Sequence, residues 1–174
     1  MPERIASITL LAPTPELADV FIRLAAFVSK FIEDPKPLGQ AIARMQADRH
    51  DFAAAQSLFG IVFGVPAFLN AYWSPWALDR RAWFGALMER EPVFDADAFM
   101  AIAGDAWPEL GPPAASGFDG PVDIVYGNTD VLVDPATSLP LWQRAFANVS
   151  RRTVRSGHFI QLECPATGWW RASR

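Results

Sequence analysis

Two residues in the last third of the chain have the types needed for acid–base chemistry. Asp130 closes the tetrapeptide Gly127-Asn128-Thr129-Asp130, and His158 follows Gly157 in "RRTVRSGHFIQLECP", residues 151–165. A histidine acting as a general base needs a partner on its second ring nitrogen. A carboxylate there fixes the tautomer and stabilises the imidazolium. Each of the two residues comes just after a strand-like run, "VDIVYG" at 122–127 and "RRTVRS" at 151–156. Between them, Asp134, Pro135 and Ala136 read as the N-cap and first turn of a helix, with Leu139, Trp142 and Phe146 on one face. Strand, helix, strand implies a parallel pair joined by a crossover. Ligands bind at the carboxyl ends of such strands. Asp130 and His158 are therefore expected on neighbouring loops at one end of a small parallel sheet.

The rival groups have plainer readings. Asp134 is a carboxylate close to Asp130, but the proline after it marks a helix N-cap. His50, in "ADRHD" between two helices, reads as a surface histidine. Glu163 and Cys164 read as structural. Cys164 shares the loop of His158 and has no strand-to-helix elbow to present it as a nucleophile. Arg151, Arg152 and Arg155 read as a solvated strand edge.

The elements that must hold this pair occupy the rest of the chain. "IASITLLA", residues 5–12, is a nearly unbroken apolar run and reads as a central parallel strand with both faces buried. Residues 14 to about 107 read as helical. Thr14 is expected as the first N-cap, with Pro15 in the first turn, and Leu17, Val20, Phe21, Leu24, Phe27, Val28 and Phe31 repeat at helical spacing. Pro35 and Pro37 break that helix, and Leu38, Ile42 and Met45 mark the next. Asp51, Ser74 and Asp95 are expected as further caps, with Phe99 and Ile102 facing inward on the last helix. "WPELGPPAASGFDGP", residues 107–121, is a linker rich in Pro and Gly. Phe59, Phe63, Phe68, Tyr72, Trp73, Trp76 and Trp83 form a dense aromatic set, which either packs the helices together or lines an apolar pocket.

Composition limits the partners. With 174 residues and 51% hydrophobic side chains the chain can bury a sizeable core. A net charge of −4 argues against a nucleic-acid partner, because phosphate binding needs a basic surface. Cys164 is the single cysteine, which excludes an intrachain disulfide and a cysteine metal cluster. It also suits a reducing, cytoplasmic setting. The N-terminus lacks the pattern of a signal peptide. The longest apolar stretch, residues 58–73, is shorter than a bilayer span and holds Gly60, Gly64 and Pro66, so no membrane segment is expected. Nothing in the sequence points to a cofactor or a metal.

"PVDIVYGNTDVLVDP" followed by "SGHFIQLECP" resembles the last third of an α/β-hydrolase. In that family the acid of the catalytic triad follows a strand in a Gly-x-x-Asp turn, and the histidine follows the last strand in a Gly-His turn. "PERIASITLLAP", residues 2–13, is similar to the family's segment just after the nucleophile helix. The resemblance implies an α/β fold: a partial hydrolase core made of a short parallel sheet, with a large helical cap inserted. It divides the chain into a core strand (1–13), a helical cap (14–116) and a C-terminal core segment (117–174) with the acid and histidine loops. It also implies catalytic roles for Asp130 and His158.

Two features depart from the family. No serine in the chain stands in a Gly-x-Ser-x-Gly elbow, whose place would be upstream of residue 1. The final helix, expected after Pro165, is abbreviated or replaced in "ATGWWRASR". The expected function is that of the C-terminal portion of an esterase-type hydrolase for small, largely apolar substrates, inactive alone for want of a nucleophile. A non-catalytic remnant binding a small apolar ligand or a partner protein, or one half of a split enzyme, fits the same residues. Self-association or pairing with an N-terminal half would cover an open edge of the sheet.

Overall fold

The computed structural model describes residues 5–90, 95–107, 111 and 113–164. The Pro2-Glu3-Arg4 segment, parts of the 107–121 linker and the stretch 166–174 lie outside the described residues.

The fold is mixed α/β. Strands β1 (Ile8–Leu11), β2 (Val122–Gly127) and β3 (Val149–Val154) form one parallel sheet in that spatial order. Helices α1 (Leu17–Val28), α2 (Lys36–Ala47), α3 (Phe52–Phe63), α4 (Leu78–Arg90) and α5 (Ala96–Ala106) fall between β1 and β2. Helix α6 (Pro135–Ala145) crosses from β2 to β3, and the short α7 (Ile160–Glu163) follows β3. A 3-10 segment, Pro66–Tyr72, connects α3 towards α4. Among the described residues between β1 and β2 there is no strand. Nor is any single described helix long and apolar enough to cross a membrane.

The two-residue alternation of a strand sorts the sheet's side chains onto two faces. Ile8, Leu10, Val122, Ile124, Tyr126 and Val149 turn towards α1, α2, α3 and α6 and join one continuous core with them. Leu11, Val125 and Val154 turn the other way and meet Ala12 and Ile160. That second face also carries polar groups: Arg152 pairs with Asp123, and the Ser150 hydroxyl donates to the same carboxylate. Three of the expected helix caps are present. Asp51 accepts from the Ala54 amide, Asp95 from Ala98 and Asp134 from Ala136, each at 2.9 Å.

Four expectations are corrected. The strand at 5–12 is shorter, and it is the outer strand of the described sheet. Thr9 and Ile5 are exposed, and β2 takes the central place. An unbroken apolar run reads alike for either position. Thr14 does not cap α1: Glu16 is extended (φ −139°, ψ 118°) and the helix starts at Leu17. Ser74 does not cap α4, which begins at Leu78, because its amide and hydroxyl are both bound elsewhere, by Glu163. Ile102 points to solvent at 70% exposure, because the buried ladder of α5 runs through Phe99, Ala103 and Trp107.

Both tyrosines of the chain are held above the ordinary phenol pKa of 10.0. Burial is the main cause for each. The Asp130 charge adds to it at Tyr72, whereas the Ser138 hydroxyl and Arg151 act more weakly against it at Tyr126. A raised folded-state pKa contributes stability that is whole below pH 10 and is lost as pH climbs through the raised value. The folded chain should therefore show less phenolate absorbance at pH 10 than the unfolded chain, and alkaline unfolding should accompany ionisation above it. A tyrosine that titrates at or below pH 10 in the folded chain would contradict this packing.

Candidate functional site

The site lies at the carboxyl end of the sheet, where the turn after β2 and the loop after β3 are bonded to each other. The Asn128 amide donates to the Val154 carbonyl at 2.9 Å. Thr129 donates twice to the Ser156 carbonyl, through its amide at 3.1 Å and its hydroxyl at 3.0 Å. These bonds draw the histidine loop over Gly127. A Cβ on Gly127 would meet the Gly157 carbonyl oxygen at 2.1 Å and that of Ser156 at 2.5 Å. Glycine is required there by close approach of two backbones.

The Asp130 side chain is wholly buried and uses both carboxylate oxygens. Oδ1 accepts from the amides of Leu132 (2.8 Å) and Val133 (3.2 Å). Oδ2 lies 2.9 Å from Nδ1 of His158. An ionised carboxylate only accepts, so Nδ1 carries the hydrogen, and in the neutral imidazole Nε2 is the acceptor. The His158 side chain is 19% exposed. The buried carboxylate thus fixes the orientation of the His158 ring.

No family model, curated protein or solved structure matches this chain.

The helical region closes over the histidine loop. The amides of His158 (2.9 Å) and Phe159 (3.3 Å) both donate to the Tyr72 carbonyl. The Tyr72 ring stacks on Phe159 at 5.2 Å between centroids and meets the His158 ring edge-on at 5.7 Å. Gly157 lets this happen, for a Cβ there would lie 2.6 Å from the Ser74 amide nitrogen and 2.8 Å from the Tyr72 carbonyl oxygen.

Beside this seam lies an apolar cleft of about 260 Å³. Phe63, Phe68 and Leu69 form one part of its wall, and Tyr72, Phe84, Met88 and Phe159 the rest. It shares Tyr72 and Phe159 with the surroundings of His158. Of the aromatic set singled out in the sequence, Phe63, Phe68 and Tyr72 line the cleft. Trp73 is buried, packed against Phe84 and Phe159, while Trp76 and Trp83 are exposed. The Arg155 guanidinium sits 4.4 Å from the Trp76 ring. Phe159 and Met88 also line the cleft, although their loop and helical contexts carry no pocket signal in the sequence.

The remaining candidates lie apart from the pair. Asp134 caps α6 and accepts from Arg23 at 3.0 Å. His50 is exposed. The Cys164 thiol is buried and donates to the Arg155 carbonyl. Burial, helped by the Glu163 carboxylate, raises its pKa, the reverse of what an activated cysteine nucleophile needs. Among the described residues, no group of three or more His, Cys, Asp and Glu side chains could hold a metal ion.

Proposed function

We propose that this chain supplies the acid–base pair and the apolar binding cleft of an α/β-hydrolase-type esterase. The observation that carries the reading is the bond between His158 Nδ1 and the buried Asp130 carboxylate. In this reading Nε2 takes the proton of a hydroxyl nucleophile as it attacks an ester carbonyl. It then returns that proton to the leaving alcohol, while Asp130 stabilises the intervening imidazolium. The acyl or aryl group lies in the cleft walled by Tyr72 and Phe159. A cavity of roughly 150 Å³ holds a benzene molecule, so about 260 Å³ suits a ring or chain somewhat larger, with no charge. The nucleophile is assigned to a polypeptide outside the 174 residues, since no serine here stands in an elbow. A second reading, favoured by the apolar cleft itself, is a non-catalytic binder of small apolar ligands.

The test is hydrolysis of p-nitrophenyl butyrate. General-base catalysis alone is worth roughly 10²–10⁴-fold, and oxyanion donors normally add to it. The chain by itself should show no turnover above its His158→Ala variant, and a fluorophosphonate probe should label no serine. Labelling of one serine, abolished by His158→Ala, would overturn the assignment of the nucleophile to another polypeptide. An in-frame Gly-x-Ser-x-Gly upstream of the Met1 codon would identify that polypeptide segment. Its addition should restore turnover that depends on both His158 and Asp130.

A further inference from the structure

Glu163 lies five residues beyond His158 and takes no part in the acid–base chemistry described above. Its carboxylate nevertheless joins two separate pieces of chain. Oε1 accepts from the Gly157 amide and from the Ser74 amide, both at 3.0 Å. Oε2 accepts from the Ser74 hydroxyl. Gly157 is the residue immediately before the histidine, and Ser74 belongs to the segment that lies over it. On the other side of the same seam, the Tyr72 carbonyl accepts from the His158 and Phe159 amides. The histidine loop is thus held at Gly157 by a charge-accepted bond and at 158–159 by the Tyr72 carbonyl. Bonds to a charged acceptor are the stronger kind.

The same contacts explain why Ser74 fails to cap α4. A local cap satisfies one amide of one helix. Here the serine gives both its donors to a carboxylate 89 residues away, and the sequence between them supplies no local reason for that pairing.

We propose that Glu163 is a positioning residue: by holding the Gly157 amide and Ser74 together, it fixes the His158 ring against Asp130 and keeps Tyr72 and Phe159 as adjoining walls. The inference rests on the reading of His158 as the base. Its test reads the histidine directly and needs no turnover, so an absent esterase activity and an absent positioning role give different results.

The measurement is proton NMR of the His158 Nδ1 hydrogen and of its exchange with water. Assignment is simple because the chain has two histidines and His50 is exposed. In the unaltered chain the Nδ1 signal should appear far downfield and exchange slowly, and it should vanish in Asp130→Ala. Glu163→Ala should lose the signal or speed its exchange by at least about tenfold, through local opening of the loop. Glu163→Gln should restore it, because the amide oxygen still accepts from both backbone donors and the amide nitrogen can donate to the Ser74 hydroxyl. Asp134→Ala, which removes the α6 cap and the Arg23 pair, serves as a control: it should lower Tm while leaving the signal and its exchange unchanged. If Glu163→Ala does not fold, Ser74→Ala removes the hydroxyl bond alone and should speed exchange by a smaller factor. An unchanged signal in Glu163→Ala, or in Ser74→Ala where that variant replaces it, overturns the proposal. So does an equal loss in the Asp134→Ala control.

Discussion

Gly127→Ala should destabilise the chain by at least about 4 kcal/mol, a size single substitutions rarely reach, through backbone strain and overpacking. The added methyl would lie 2.1 Å from one carbonyl oxygen and 2.5 Å from another, and both belong to backbone. Neither oxygen can swing away as a side chain would. The Ser156 carbonyl is held by the Thr129 amide and hydroxyl, and Gly157 is held by Glu163. Relief therefore requires moving the whole histidine loop, which separates His158 from Asp130. Urea unfolding gives the loss in stability, and the downfield Nδ1 signal should disappear in whatever remains folded. A Gly127→Ala protein within about 1 kcal/mol of the original, with that signal intact, would show that the loop does not lie over β2 as described.

Asp130 separates stability from tautomer. Asp130→Ala leaves the Leu132 and Val133 amides and the His158 Nδ1 hydrogen without their acceptor in a buried place. Breaking a buried charged partnership on one side typically costs about 3–5 kcal/mol, and chemical denaturation should register a loss of that size. Asp130→Asn is the sharper variant. Its amide oxygen can still accept from Leu132 and Val133, but its NH₂ group then faces Nδ1. Nδ1 must become the acceptor, and the ring hydrogen moves to Nε2. The lone pair that would take a proton from a nucleophile is gone while the fold persists. Nitrogen-15 NMR of His158 should show the inverted tautomer. In any reconstituted esterase, turnover should fall by about 10⁴-fold, the size of effect a wrong tautomer produces in serine hydrolases. Retention of the Nδ1–H tautomer in Asp130→Asn would mean that something other than Asp130 orients the ring.

How far the site could be read from sequence depends on how local each piece is. The strand, turn, helix, strand order at 122–156 is visible because apolar alternation, Gly127 and the Asp134-Pro135 start are all short-range signals. Asp51 and Asp95 as caps are legible for the same reason, since a cap bonds within its own first turn. Ser74 looks identical to them in sequence and behaves differently, because a distant carboxylate binds it more strongly than its own helix.

By itself, the sequence determined the alternation of helices and parallel strands, the chain positions of Asp130 and His158 after two successive strands, and the two glycines beside them. Each follows from residues within a few positions of one another. Only the tertiary structure decided that β1 is the outer described strand, that Trp76 and Trp83 face solvent while Phe159 and Met88 line the cleft, and that Glu163 ties the histidine loop to Ser74. Those facts depend on which distant surfaces meet. An apolar residue is buried by whatever packs on it, and a carboxylate finds its donors across space, so neither outcome is encoded by spacing along the chain.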